Sequence, residues 1–267
     1  MKRTLFASAA LCLAAALPVS AAGLDKRPVT GAVVEGWTQA DGTVVAGLKL
    51  TLAPGWKTYW RAPGDAGIPP QFDWSGSDNL AQISVTWPTP VVFDQAGMRS
   101  IGYKDEVIIP LHVTPRAEGP VQLRATMELG VCSDICLPET LEFDATLETT
   151  STRRVPAIAA ALAARPYTAS EAGVRAATCT LKPTAQGLEI TARLTLPDTG
   201  GSEVVVIEPG QSGVWVSEAD TSRSGDVLTA QADMAAGGAA LALDRSAIRF
   251  TVLGGNMAVD IKGCTAG

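Results

Sequence analysis

Two cysteines four residues apart, Cys132 and Cys136, lie between a strand-like run (Val121 to Leu129) and Pro138. In an extended strand they would share a face with their Cα atoms about 13 Å apart, at ~3.3 Å per residue. A disulfide needs a Cα separation of roughly 4.4–6.8 Å. A bond between them therefore requires the strand to break into a tight turn, and Ser133-Asp134 are residue types that support one. The spacing alone leaves three readings open: a staple, a metal clip or a working redox centre.

The start of the chain bears on the compartment. Lys2 and Arg3 precede an apolar run from Leu5 to Leu17, and Pro18-Val19-Ser20-Ala21-Ala22 then supplies small residues for cleavage. This reads as a secretory signal peptide over residues 1–22 and places the mature protein in a periplasm. The run is too short for a comfortable membrane span, and no later segment approaches ~20 apolar residues. Losing two cations and no acids takes the net charge from −6 to −8. An acidic surface argues against nucleic acid as a partner and against electrostatic docking on anionic lipid.

Cys12 leaves with the leader, and Cys132, Cys136, Cys179 and Cys264 remain. An even count in an oxidising compartment favours two disulfides, with three possible connectivities. Position favours Cys179 with Cys264, tying the ends of the second half, and leaves Cys132 and Cys136 to each other. Closing the long loop removes about 4.5 kcal/mol of unfolded-chain entropy, and closing the short one about 2. Cys179–Cys264 is thus the natural structural disulfide, and the short bridge tilts toward exchange chemistry.

The remaining pattern is all-β. The runs Gly31 to Thr38 and Thr43 to Ala53 flank Ala40-Asp41-Gly42, a strong hairpin signal. Leu48-Lys49-Leu50-Thr51-Leu52 alternates as a half-buried strand does. Further strands are expected at Ile83 to Trp87, Val107 to Val113, Val121 to Leu129 and Thr140 to Leu147. Val91 to Gly97 reads as a loop carrying an aromatic, and Pro69-Pro70 cannot sit in a central strand. These short strands point to a β-sandwich over 23–152. Pro156 to Ala164 then reads as a helix, with a second short one from Ser170 to Ala177 capped by Ser170. Residues 153–177 are taken as a helical linker. From 178 to 267 the strand pattern resumes as a second β-sandwich domain.

Hydrolytic machinery is poor. His112 is the only histidine, it alternates with Leu111 and Val113, and no nucleophile elbow accompanies it. No second Cys/His pair completes a zinc site. Two thiolates could hold Cu(I), with Met127 or Met98 as a further ligand. No cofactor motif is present.

Three stretches taken as a set resemble the periplasmic N-terminal region of the DsbD thiol:disulfide interchange family. They are Gly55-Trp56-Lys57-Thr58-Tyr59-Trp60-Arg61-Ala62-Pro63-Gly64-Asp65, then Ile101-Gly102-Tyr103, then Cys132-Ser133-Asp134-Ile135-Cys136-Leu137-Pro138. The closest similarity is to the branch linked to suppression of copper sensitivity. The resemblance implies an immunoglobulin-like domain whose Cys132/Cys136 pair relays electrons, and with the second sandwich the chain is expected to hold two immunoglobulin-like β-sandwich domains. The implied partners are a membrane-embedded thiol reductase and periplasmic thioredoxin-fold proteins. It implies no cofactor and no resident metal. A cap loop with an aromatic would shield the pair, which points to Phe93, with Tyr59, Trp60 and Tyr103 lining the same pocket. Cys132 is taken as the attacking thiol. The family's membrane and thioredoxin-like domains have no counterpart in this sequence, so electrons would arrive from a separate protein. Two other readings stay open: a non-catalytic binding or assembly module, and a copper(I)-handling protein.

Overall fold

The computed structural model describes residues 27–267 apart from 66, 96–97 and 238–240. The leader assigned to residues 1–22, with Cys12, lies outside them. The first half runs β1 (Val29–Thr38), β2 (Val44–Leu52), β3 (Lys57–Tyr59), β4 (Gln71–Asp73), β5 (Leu80–Val85), β6 (Val91–Gln95), β7 (Met98–Lys104), β8 (Glu106–Pro115), β9 (Val121–Cys132) and β10 (Cys136–Leu147). One sheet has the order β1-β2-β8-β5, and the other β10-β9-β3-β7-β6 with β4 also on β9. β1 and β2 form the expected hairpin, in which Asp41 Oδ1 accepts from the Thr43 N–H at 2.9 Å. Gly42 takes the left-handed φ of 83° that its position in the turn requires.

Side chains alternate across a strand, so each sheet sends every second residue inward. Leu48, Leu50, Ile109 and Leu111 from one sheet meet Leu123, Met127, Leu129 and Val131 from the other, all essentially buried. The start of β2 is buried on both faces, since α1 (Pro156–Ala163) covers its outer side there: Ile158 is fully buried in a cluster with Trp37 and Val45. The segment expected as a linker is therefore partly docked onto the first sheet.

The second half adds β11 (Tyr167–Thr168), β12 (Ala176–Pro183), β13 (Leu188–Thr195), β14 (Val204–Glu208), β15 (Trp215–Val216), β16 (Asp220–Ser224), β17 (Val227–Ala235), β18 (Arg249–Leu253), β19 (Ala258–Lys262) and β20 (Thr265–Ala266). Its sheets run β11-β19-β18-β14 and β15-β17-β13-β12-β20, with β16 on β17. Ile190, Leu194, Phe250 and Val252 are among the residues of its own core. Leu253 and Ala258, however, are buried in the first core, and Val204 and Val206 pack against it. The two halves share apolar contact.

Two expectations are corrected. The helix expected from Ser170 to Ala177 does not form. Glu171 instead turns back to accept from the Thr168 N–H at 2.7 Å, Gly173 adopts φ 68°, and β12 starts at Ala176. The loop expected from Val91 is a strand as far as Gln95, because Val91-Val92-Phe93 pairs in register with Gly102-Ile101-Ser100.

Candidate exchange site

β9 and β10 form a hairpin whose loop is Ser133-Asp134-Ile135, and Cys132 and Cys136 are the opposed residues that flank it. The loop is closed by the Ser133 N–H donating to the Ile135 carbonyl at 3.0 Å. That turn brings the two Cα atoms to 4.1 Å, and the sulfurs are bonded. The tight turn that the spacing requires is thus a three-residue reversal, and it draws the Cα atoms slightly closer than the usual range of roughly 4.4–6.8 Å. The second bridge joins Cys179 and Cys264 across 85 positions.

The two sulfurs of the short bridge differ in access. Cys132 is 1% exposed, whereas Cys136 is exposed and follows Ile135, which is 61% exposed. Tyr59 lies against the buried sulfur. The Tyr59 hydroxyl lies 2.8 Å from Cys132 Sγ and 3.5 Å from Cys136 Sγ. A disulfide sulfur has no proton, so the tyrosine donates. Burial pushes the Tyr59 hydroxyl above the ordinary tyrosine value, which keeps it protonated and able to donate.

Backbone close approach makes this contact possible. A Cβ on Gly130 would lie 3.0 Å from the Tyr59 ring and 2.9 Å from Ile68 Cβ. Glycine therefore lets the ring lie flat beside β9. Thr58, on the opposite face, donates from its hydroxyl to the Gly130 carbonyl at 2.9 Å.

Register adds a residue that sequence reasoning left unassigned. Lys57 stands directly opposite Cys132, so the two Cβ atoms are neighbours on one face, roughly 4.5–5.5 Å apart. Its ammonium donates to Ser100 Oγ at 3.1 Å and sits 5.0 Å from the centroid of the Phe93 ring. Partial burial lowers the Lys57 pKa. Phe93 thus reaches the site through Lys57, from a strand rather than from a loop tip.

The other two aromatics are elsewhere. Trp60 follows Tyr59 and so points to the opposite face, where it is fully buried in the first core. Tyr103 pairs with Thr58 and is likewise in that core, donating to the Pro88 carbonyl at 2.7 Å. Both face the core side of the sheet, whereas Tyr59 faces the cysteines.

His112 belongs to the other sheet, with Nε2 3.1 Å from Thr86 Oγ1; burial pushes it below its ordinary value, against a smaller opposing pull from Asp41. Met127 faces the first core at 1% exposure, so it does not share the cysteines' face, and the Met98 side chain lies outside the described set. Among the described residues no three His, Cys, Asp or Glu side chains gather as a metal site, and no helix is long and apolar enough to cross a membrane.

No curated protein sequence matches the chain. Among solved structures, the N-terminal periplasmic domain of ScsB from Proteus mirabilis is similar, with a TM-score of 0.66 at 23% identity. The match covers 87% of this chain and 92% of that one, so the similarity in fold extends through both halves. Residues 30–148, which include β9, β10 and the cysteine pair, match the family described as thiol:disulfide interchange protein DsbD, N-terminal. The first half of the chain is therefore a DsbD N-terminal-like domain.

Proposed function

We propose that this is a periplasmic protein of two immunoglobulin-like β-sandwich domains that relays reducing equivalents through Cys132 and Cys136. A membrane-embedded thiol reductase would supply the electrons, and thioredoxin-fold or other disulfide-bearing proteins would take them. The observation that carries this reading is the asymmetry of the pair: an exposed Cys136 bonded to a buried Cys132 that a tyrosine hydroxyl touches at 2.8 Å.

Charging begins when a donor thiolate attacks the exposed Cys136 sulfur. The Cys132–Cys136 bond breaks, a donor–Cys136 disulfide forms, and Cys132 leaves as a thiolate. A buried thiolate is costly unless it is hydrogen-bonded, and Tyr59 is placed to supply that bond. A second donor thiolate then releases the dithiol form. Delivery runs the other way. The Cys136 thiolate attacks the acceptor's disulfide, one acceptor sulfur leaves, and Cys132 attacks Cys136 to re-form the bridge. Two electrons pass to the acceptor, whose thiolates take up the protons. On this reading Cys136 attacks, in place of Cys132, because a partner's sulfur can reach only the exposed member of the pair.

The test is a timed one. The oxidised protein is exposed briefly to glutathione, quenched with an alkylating agent and mapped by mass. Labels should appear on Cys132 and Cys136 well before Cys179 and Cys264. Equal labelling of both bridges, or of neither, contradicts the proposal. Tyr59→Phe removes one hydrogen bond to a charged acceptor, about 1.5–3 kcal/mol. It should therefore raise the Cys132 thiol pKa by about one to two units and slow opening correspondingly. A pH profile of the alkylation rate reads this directly.

A further inference from the structure

Two acidic side chains from the second half reach across to the strands that carry the cysteine pair. Glu208, at the end of β14, takes Arg61 in a fork, with Nε–Oε1 at 3.1 Å and Nη2–Oε2 at 2.9 Å. The Arg61 guanidinium also lies 3.8 Å over the Trp60 ring and donates to Thr251 Oγ1 at 3.3 Å. The paired side chains are only 14% and 23% exposed, so solvent screens them weakly. Glu218, just beyond β15, accepts from the Arg99 backbone N–H at 3.1 Å and pairs with its side chain at 3.7 Å.

Neither contact touches a sulfur, but each lies next to a residue that meets the site. Arg61 follows Tyr59 by two positions. Arg99 precedes Ser100, whose hydroxyl holds the Lys57 ammonium. β3 and β7 are paired, Tyr59 against Gly102, and beyond β3 the ladder continues with the Trp60 N–H donating to the Ile101 carbonyl at 2.9 Å. The two arginines thus mark one end of a single two-stranded unit whose other residues touch Cys132.

The space beside that end is open. A cleft of about 640 Å³ separates residues 61–65, Gly67, Pro69 and Arg99 from residues 204–219. Apolar packing between the halves does not fill it, and the two ion pairs are ties across it. A bidentate arginine fork fixes direction as well as distance, which suits it to holding a strand end in place.

We propose that Glu208 and Glu218 are positioning residues for the exchange site, gripping β3 and β7 so that Tyr59 and Lys57 stay set against Cys132. The second half is then part of the exchange machinery. This rests on the exchange reading given above. Misplacing a catalytic contact by about 1 Å costs up to 10²-fold in rate, and a loosened strand end should cost roughly tenfold.

The experiment uses the full chain carrying Glu208→Gln and Glu218→Gln, reduced, with oxidised glutathione as the probe. The expected result is a roughly tenfold slower formation of the Cys132–Cys136 bridge at neutral pH, with the pH profile moved upward in the direction expected for Tyr59→Phe. Exchanging the partners, Arg61→Glu with Glu208→Arg, should recover part of the rate. Should the double variant unfold, Glu218→Gln alone provides the same readout, because that pair is more exposed. Native rate and pH profile in the glutamate variants, with Tyr59→Phe still slow, overturn the positioning role and leave the exchange reading intact. A native chain that shows no exchange at all overturns both.

Discussion

Replacing Cys179 and Cys264 together with serine is expected to lower stability by about 4.5 kcal/mol. The bridge spans 85 positions, and the entropy it removes from the unfolded chain grows with the logarithm of that loop. It ties β12 to the chain end, where β20 pairs with β12 through Cys179 and Ala266. Cys179 is 1% exposed in the second core, so serine there also buries a hydroxyl in apolar surroundings, which costs more unless it finds a partner. A urea titration reads the loss as a shift in midpoint. The same substitution at Cys132 and Cys136 should remove only about 2 kcal/mol of loop entropy, since its loop is short, with a burial cost at Cys132 like that at Cys179, both being 1% exposed. A smaller shift for the long bridge than for the short one contradicts this division of labour.

Cys136→Ser is expected to abolish exchange, whereas Cys132→Ser is expected to accumulate a mixed disulfide. The difference follows from access. In the first variant the remaining sulfur is the buried one, behind the Tyr59 hydroxyl at 2.8 Å, and an incoming disulfide cannot reach it. In the second, the exposed Cys136 still attacks, but nothing remains to resolve the intermediate. Incubation with oxidised glutathione followed by intact mass measurement distinguishes them by the adduct. An adduct on Cys132 and none on Cys136 would reverse the assignment of the attacking thiol.

Much of this is legible in the sequence. The Asp41-Gly42 hairpin and the helix beginning at Pro156 follow from local chemistry, and local chemistry is what a sequence displays. The fates of the aromatics were only half legible. Alternation alone says that Tyr59 and Trp60, as neighbours on one strand, face opposite sides, so they cannot line one pocket. Which side carries the cysteines depends on the pairing of β3 with β9, which no local pattern reveals. Lys57 was not legible at all. It is an ordinary lysine until a strand from residue 132 is laid beside it in register. Glu208 and Glu218 lie about 150 and 120 positions from the arginines they hold, beyond any short-range signal. The failed helix at Ser170 shows the opposite case. Good helix formers lost there to a Glu171–Thr168 turn and to the β12–β13 pairing that follows it.

The register also explains why one hairpin can serve two ends. The inward residues of β9 build the first core, and its outward residues, Gly130 and Cys132, are left to meet Tyr59. A Gly130→Val change would set that division against itself, because the new side chain would occupy the place of the Tyr59 ring and Ile68.

The most direct test of the central claim is the equilibrium of the oxidised chain against a graded glutathione or dithiothreitol buffer, with each bridge followed separately by alkylation. The account predicts that Cys132–Cys136 opens at a potential above about −300 mV while Cys179–Cys264 stays closed. A Cys132–Cys136 bridge that resists reduction below about −300 mV, as structural disulfides do, would contradict it.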